Sequence, residues 1–460
     1  MKIIVLNGSP KADLSVTLQY VNFLQKKNPQ DQYEIFHITQ RIKRIENDET
    51  VFTEIIEKVR SADGVLWAFP LYILLVHAQY KRFIELIFER GVQNAFAGKY
   101  AATISTSIHY FDHTAHNYMH AICDDLGMRF VSSFSPEMDD LRKISGQQQL
   151  LSFNRHFIHT IQSGISIQRQ YPPILYHPYT YTPTLPINSL PTAGKKVVIV
   201  HDENDPASNL SLMIKRARSA FAGDVTVVNI NSIDISGGCL GCLKCGSNNI
   251  CAYEGKDGFI DFYRSTVMSA DILIFAGTIK DRYLSSRWKT FFDRAFFNSH
   301  TPVLQGKQLA FLVSGPFSQI PNLQEVFKGW AEFQMANLVG FVSDETESSA
   351  DLDQWIDQMV NQMLYFSNQK YTAPMTFLGI GGAKIFRDDI WGNLRFVFYA
   401  DHRAYQRIGL YKTFPQTDWR TIFFNLFVTP LLQIKPIRKG FDKQMKEQMV
   451  LPLKQLVEKA

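Results

Sequence analysis

The stretches "SADGVLWAFPLY" (61–72) and "SADILIFAGTIK" (269–280) decide the fold. Each passes from a polar helix end into a short apolar run and stops at a turn, the pattern of a buried strand. They begin 208 positions apart, and the offset persists beyond them. Lys81 pairs with Lys289, Gly98-Lys99 with Gly306-Lys307, and "ATISTS" (102–107) with "AFLVSG" (310–315). A constant offset over such a span points to tandem copies of one unit. Upstream, "KIIVLNGSP" at Lys2 and "KKVVIVHDEND" at Lys195 are both apolar runs closed by a polar turn.

Within the first copy, strands are predicted at 2–7, 33–39, 64–70, 100–107 and 129–136, and helices at 15–27, 50–62, 77–91 and 116–127. Apolar strands alternating with amphipathic helices define an α/β fold, a doubly wound parallel sheet covered on both faces. Ligands of such sheets bind at the carboxyl ends of the strands. Between the copies, prolines 172, 173, 178, 183, 186 and 191 exclude regular structure and predict an extended connector whose tyrosines pack on both copies. The expected division is 1–170, a 171–194 linker, 195–369, and a mostly helical C-terminal segment, 370–460.

The chain has 460 residues, 45% hydrophobic, 13% aromatic and 20% charged, which is globular rather than disordered. The N-terminus does not read as a signal peptide. The longest apolar run, "TIFFNLFVTPLLQI" (421–434), is interrupted by Asn425 and Pro430 and is too short for a membrane span. A cytoplasmic protein with reduced thiols is expected. Residues 370–460 hold fifteen Lys/Arg against seven Asp/Glu, although the whole chain is only +5. That excess suits an acidic partner, a membrane surface or a solvated face. Ile422, Phe423, Leu426 and Phe427, with Arg420, Lys435, Arg438 and Lys439 nearby, would permit an interfacial helix. Packing against the two domains is the favoured reading. No nucleic-acid partner is expected.

Four of five cysteines fall in "GGCLGCLKCGSNNIC" (237–251): Cys239, Cys242, Cys245 and Cys251; the fifth is Cys123. In a reducing compartment such density implies metal or redox chemistry. The run lies where the second copy is fourteen residues longer than the first.

The first copy carries "NGSPKADLSVT" (7–17) between its first strand and helix. Gly8 allows a tight turn, Ser9, Ser15 and Thr17 bring hydroxyls, Lys11 brings charge, and the helix N-terminus adds free N–H groups, together a phosphate-sized site. A plain strand–helix turn is the alternative. "AFPLY" (68–72) and "STSIHY" (105–110) end the neighbouring strands. Together the three loops resemble the NADPH-dependent FMN reductase and flavodoxin-like flavoprotein family over most of residues 1–130. The resemblance implies two tandem flavodoxin-like domains and FMN in the first. Ser9, Pro10, Lys11, Ser15 and Thr17 would hold its phosphate, with Pro70, Leu71, Tyr72, Ser105, Thr106 and Ser107 near ribityl and ring. It also matches Lys81 to a lysine on the following helix.

The second copy has Asp202, Glu203 and Asp205 where Gly8, Ser9 and Lys11 stand, and carboxylates repel a phosphate. Thr278-Ile279-Lys280 stands where the family has Ser-Pro-x-Tyr. The Cys-x2-Cys-x2-Cys-x5-Cys spacing resembles the cysteine runs of bacterial ferredoxins and of the iron–sulfur flavoproteins, implying a [4Fe–4S] cluster on Cys239, Cys242, Cys245 and Cys251. Unmetallated cysteines, zinc or a redox disulfide are the alternatives. Lys289, Asp293 and Arg294 match that family's Lys and Asp-Arg.

The expectation is therefore an internal pseudo-dimer with FMN in one domain and a cluster in the other, an oxidoreductase or electron-transfer protein. NAD(P)H is a possible donor, and a ferredoxin or small molecule the redox partner. An FMN or quinone reductase with idle cysteines, and a non-catalytic redox sensor or carrier, are the alternatives. No catalytic residue is assigned.

Overall fold

Strand β1 (Lys2–Asn7) sends Ile4 and Leu6 into one apolar layer and Ile3 and Val5 into the opposite one. This is the period-2 alternation of a strand covered on both faces. The protein is described by a computed structural model over residues 1–186, 188–413 and 419–460; Ile187 of the expected linker and residues 414–418 lie outside it. After β1 come α1 (Val16–Lys27), β2 (Gln32–His37), α2 (Ile38–Asn47), α3 (Glu49–Arg60), β3 (Gly64–Pro70), α4 (Ala78–Glu89), β4 (Tyr100–Thr106), α5 (Asp112–Asp125), β5 (Arg129–Phe134) and α6 (Ile144–Gln162). The five strands are parallel, in the order β2-β1-β3-β4-β5.

The second half contains β6 (Leu190–Pro191), β7 (Val197–His201), α7 (Asn209–Ala220), β8 (Phe221–Ala222), β9 (Val225–Asn229), α8 (Phe259–Phe262), β10 (Ile272–Thr278), α9 (Ser286–Ala295), β11 (Gln308–Ser314), α10 (Pro321–Phe333), β12 (Asn337–Ser343) and α11 (Ser349–Gln369). Its five-stranded parallel sheet runs β9-β7-β10-β11-β12, the same order as the first. The two-residue strands β6 and β8 pair with each other. Then follow α12 (Phe377–Trp391), α13 (Tyr399–Arg407), α14 (Trp419–Leu431) and α15 (Lys435–Val457). The chain forms two compact units, Met1–Asp401 and His402–Ala460. Residues 370–401 of the expected C-terminal segment thus belong with both sheets.

One continuous apolar core joins the inner faces of the two sheets. Leu6, Trp67 and Phe83 belong to the same buried cluster as Val198, Phe275 and Trp288. At its centre α4 and α9 cap each other. The Asp293 carboxylate accepts the Ala78 N–H at 2.7 Å, and the Glu85 carboxylate accepts the Ser286 N–H at 2.6 Å. Ala78 and Ser286, like Glu85 and Asp293, are 208 positions apart, so the contact is a local two-fold. A carboxylate at a helix N-terminus meets orphan N–H donors and the favourable end of the dipole. Two buried lysines flank the dyad. Lys81 bonds Glu85 at 3.0 Å and Asp281 at 2.9 Å; Lys289 bonds Asp293 and the Tyr72 carbonyl.

Helix α2 was not foreseen, and residues Ile38 and Thr39 belong to it rather than to a strand. In the second half its place in the chain, between the second strand and the next helix, is taken by the cysteine run. In the connector, Tyr171 lies 5.1 Å from His120 of the first half and beneath Arg282 of the second, while the buried Tyr181 donates to Asp353.

Candidate functional site

A cavity of about 320 Å³ opens at the carboxyl ends of β1, β3 and β4, and both halves line it. Such a volume lies at the low end of small-molecule sites. From the first half come Ser9, Lys11 and Ser15, then Pro70, Leu71 and Tyr72, then Thr106 and Ser107. From the second come Cys239, Cys242, Cys245 and Cys251. Three predicted residues are not in the lining. Thr17 is buried, its hydroxyl 2.6 Å from that of Thr106. Ser105 is buried and hydrogen-bonded to His116 and Ser135. Pro10 forms the turn between Ser9 and Lys11.

The phosphate loop is held by short-range bonds. The Ser9 N–H donates to Asn7 Oδ1 and the Lys11 N–H to Ser9 Oγ. Gly8 is required because a Cβ there would sit 2.9 Å from the Tyr80 ring, which is fixed by its hydroxyl bond to the Leu6 carbonyl. Ser15 caps α1, so the helix N-terminus, two hydroxyls and the Lys11 side chain converge at one end of the cavity. These groups fit a phosphate. Beside them, Pro70-Leu71-Tyr72 offers an apolar edge.

The corresponding loop after β7 satisfies itself. Glu203 Oε1 accepts the Asn204 and Asp205 N–H groups at 2.8 and 2.9 Å, and Asp205 accepts that of Ala207. A side-chain carboxylate thus takes donors that an anionic ligand would need. Asp202 is half-buried, and its desolvation pushes its carboxyl up to about 6 against the hydroxyl of Ser285.

The cysteine run packs directly on the first half. Its Gly241 has φ +61°, and a Cβ there would come within 2.0 Å of the Tyr72 hydroxyl and 3.0 Å of Lys11 Cε. His77 Nε2 lies 2.7 Å from the Cys239 carbonyl, and Tyr72 packs edge-on to His77. The buried Arg294 anchors both flanks of the run. It donates to the Gly237 carbonyl and bidentately to Asp257, and stacks on Tyr253 at 4.1 Å. Burial would raise the Asp257 carboxyl, but Arg294 and the Ser236 N–H outweigh it and leave it lowered.

The four cysteines are free thiols. Burial pushes Cys239 up to about 12; burial and the nearby Cys251 push Cys245 up to about 12. Such thiols stay protonated at neutral pH and are poor nucleophiles, whereas a bound metal would displace the proton. The donor set fits an iron–sulfur cluster in kind, four sulfurs on one cavity wall. Among the described residues, however, no three His, Cys, Asp or Glu side chains converge as a metal site, so the expected cluster is not shown.

Sequence reasoning missed the far wall, which residues 386–398 supply through Phe386, Ile390, Leu394 and Phe398. The glycines of α12 explain its placement: a Cβ on Gly382 would strike the Tyr110 ring at 2.3 Å, and one on Gly379 would meet Glu332 at 2.7 Å. His300 also lines the cavity, stacked on Phe386 at 4.1 Å, with Nδ1 3.0 Å from the buried Asp401. Asp401 therefore serves His300. His402, the neighbour in sequence, lies 2.9 Å from the Tyr411 hydroxyl. Lys81 lies outside the cavity lining, at the dyad between halves.

Residues 1–138 match the family model of the NADPH-dependent FMN reductases. Among solved structures the chain is similar to an NADH:FMN oxidoreductase in its apo form, at 20% identity over 35% of this chain and 89% of that one, TM-score 0.29. It is similar to the flavoenzyme NAD(P)H:(acceptor) oxidoreductase FerB of Paracoccus denitrificans, at 20% identity over 35% and 97%, TM-score 0.29. General stress protein 14 of Treponema denticola, in complex with FMN, is 11% identical over 35% and 98%, TM-score 0.27. No curated protein matches the chain. The family match spans all three first-half loops of the cavity.

Proposed function

We propose that the chain is an NAD(P)H-dependent FMN oxidoreductase built from two copies of one flavodoxin-like fold, in which FMN bound by the first copy stands beside a [4Fe–4S] cluster held by the second. One observation carries the reading: Gly241, in the middle of the cysteine run, lies against both Lys11 of the phosphate loop and Tyr72 of the ring loop. Lys11 would offset the phosphate charge, and Ser9, Ser15 and the N-terminus of α1 would donate hydrogen bonds to it. Pro70, Leu71 and Tyr72 would border the ring, and Ser107 and Thr106 would serve the ribityl chain. Bound FMN would exchange a hydride or single electrons, and a cluster on Cys239, Cys242, Cys245 and Cys251 would carry one electron at a time. Residues 386–398 shield this cavity, and a dry site favours electron exchange with a chosen partner over one with water. A ferredoxin or a small acceptor completes the reaction.

The duplication is supported by the shared strand order and the reciprocal caps at the dyad. It divides the chain at 1–170, 171–194 and 195–369, with 370–460 appended. Anaerobic purification with flavin and iron quantitation tests the proposal. One FMN and about four irons per chain are expected, with a paramagnetic signal on reduction. Flavin without iron after anaerobic reconstitution would sink the cluster. A second reading, an FMN or quinone reductase with idle cysteines, is favoured by the lack of a converged metal site among the described residues. It requires that replacing Cys242 and Cys251 by serine leave turnover unchanged.

A further inference from the structure

Asp401, in the first turn of α13, is fully buried, and its carboxylate serves one turn of the chain, Asn298 to Thr301. Both of its oxygens accept the His300 N–H at 3.1 Å. Oδ1 also accepts the Thr301 hydroxyl at 2.7 Å, and Oδ2 lies 3.0 Å from His300 Nδ1. A carboxylate only accepts, so the contact assigns the proton of that pair to Nδ1 and makes Nε2 the nitrogen that gains and loses one. The imidazole is held on its other sides by rings. It stacks on Phe386 at 4.1 Å and meets Phe398 and Phe296 edge-on at 4.7 and 5.1 Å.

The turn itself is strained. The Thr301 N–H bonds the Asn298 carbonyl at 3.1 Å, and Ser299 between them has φ +53° and ψ −129°. Those are the angles of the first central position of a type II′ turn, where glycine is favoured and a side chain crowds the backbone. Such strain persists only where the surroundings over-determine it, and it gathers beside functional groups. Here it aims a histidine: His300 lines the same cavity as Ser9, Lys11, Tyr72 and Ser107. We propose that His300 is the proton donor to the acceptor reduced in this cavity, with Asp401 as its positioning residue. The inference rests on the FMN reading. A quinone that takes a hydride gains two electrons and one proton, and a second proton completes the hydroquinone. That proton comes from Nε2–H of the His300 imidazolium. Asp401 meets the positive charge while it lasts, and water restores the proton afterwards.

The full-length FMN-loaded protein is reduced with dithionite and mixed in stopped flow with 1,4-benzoquinone, which must be protonated, or ferricyanide, which need not be. The ratio of the benzoquinone to the ferricyanide rate should fall about a hundredfold in H300Q and about tenfold in D401N, the range of general acid catalysis. A merely structural staple would alter both rates and leave their ratio. A ratio in H300Q within about threefold of the parent's, at the parent's FMN content, overturns this proposal alone. A parent that binds no FMN overturns the flavin reading, and this proposal with it. If H300Q does not fold, the parent decides: benzoquinone reduction should slow more in D2O than ferricyanide reduction, and equal slowing overturns the proposal. A readout without turnover is the 15N spectrum of histidine-labelled, flavin-free protein. His300 should carry a proton on Nδ1 and lose that preference in D401N; an unprotonated Nδ1 in the parent overturns the assignment.

Discussion

The loops after β1 and β7 follow equivalent strands of sheets with the same order, yet they treat an anion in opposite ways. In the first, Ser9, Lys11 and Ser15 face the cavity. In the second, Glu203 folds back on the Asn204 and Asp205 N–H groups and Asp202 accepts the Ser285 hydroxyl. On the proposed reading, the sign of a few side chains decides which copy offers a phosphate site, without change in the sheet beneath. The converse holds at the next connection. There the first copy has α2, an ordinary amphipathic helix, and the second has the cysteine run, which reaches across to the first copy's loops.

The largest expected effect lies at the clamp of that run. On α9 the second copy has Arg294 where α4 has Leu86, 208 positions earlier. Asp257→Ala would leave the buried guanidinium without its carboxylate and should cost about 3–5 kcal/mol in urea unfolding. The double variant R294L/D257A, which restores the first copy's leucine, should recover much of that loss. A cost under about 1 kcal/mol for Asp257→Ala would show that the clamp does not hold the loop.

Next comes a graft of the second loop onto the first. Ser9→Glu with Lys11→Asp places carboxylates at the phosphate end of the cavity. FMN affinity should fall more than a hundredfold, about 3 kcal/mol, in a flavin fluorescence titration of deflavinated protein. Affinity within a few-fold of the parent would remove the phosphate assignment.

Much of this contrast was legible in sequence because it is local. The 208-residue offset, the apolar strands and the acid-for-glycine exchange at Asp202 are read from neighbouring letters. Helix α2 was hidden although Ile38, Ile42 and Ile45 form a buried stripe, because β2 passes into it at His37 with no turn residue between. The wall from Phe386 to Phe398 and the His300–Asp401 pair were not legible, since they join residues about a hundred or more positions apart. Arg294 was noticed only by resemblance; its clamp depends on Gly237 and Asp257, on both sides of the run.

Acid should separate the copies as well. In the first, His116 is buried between the hydroxyls of Thr103 and Ser105, and burial lowers it to about 4 despite the nearby Asp112. Its counterpart 208 positions on is Gln324, which does not titrate. The unfolded chain takes up the proton first, near 6.5. The stability owed to neutral His116 is therefore whole above pH 6.5 and is lost as pH falls toward 4, by up to about 3 kcal/mol. His116→Gln should flatten the pH dependence of unfolding over that window. An unchanged slope would mean that His116 is not held neutral in the folded state.

The smallest effect tests the contact between copies itself. Gly241 lies within the cysteine run and Gly255 just beyond it, with φ +61° and +69°. A Cβ on Gly255 meets nothing within 4 Å, so Gly255→Ala bears only the left-handed backbone cost, about 1 kcal/mol. A Cβ on Gly241 falls 2.0 Å from the Tyr72 hydroxyl, and Tyr72 is hemmed by His77. Gly241→Ala must therefore displace the ring loop as well, adding about 1–2 kcal/mol. The energy difference is modest, but the spectra should divide cleanly. Gly241→Ala should shift the flavin absorbance and fluorescence, because the proposed site puts Tyr72 beside the ring, and Gly255→Ala should leave both unchanged. If the two variants alter stability and flavin spectra alike, the cysteine run does not rest on the flavin loops. The complementary specialisation of the two copies would then have no physical junction.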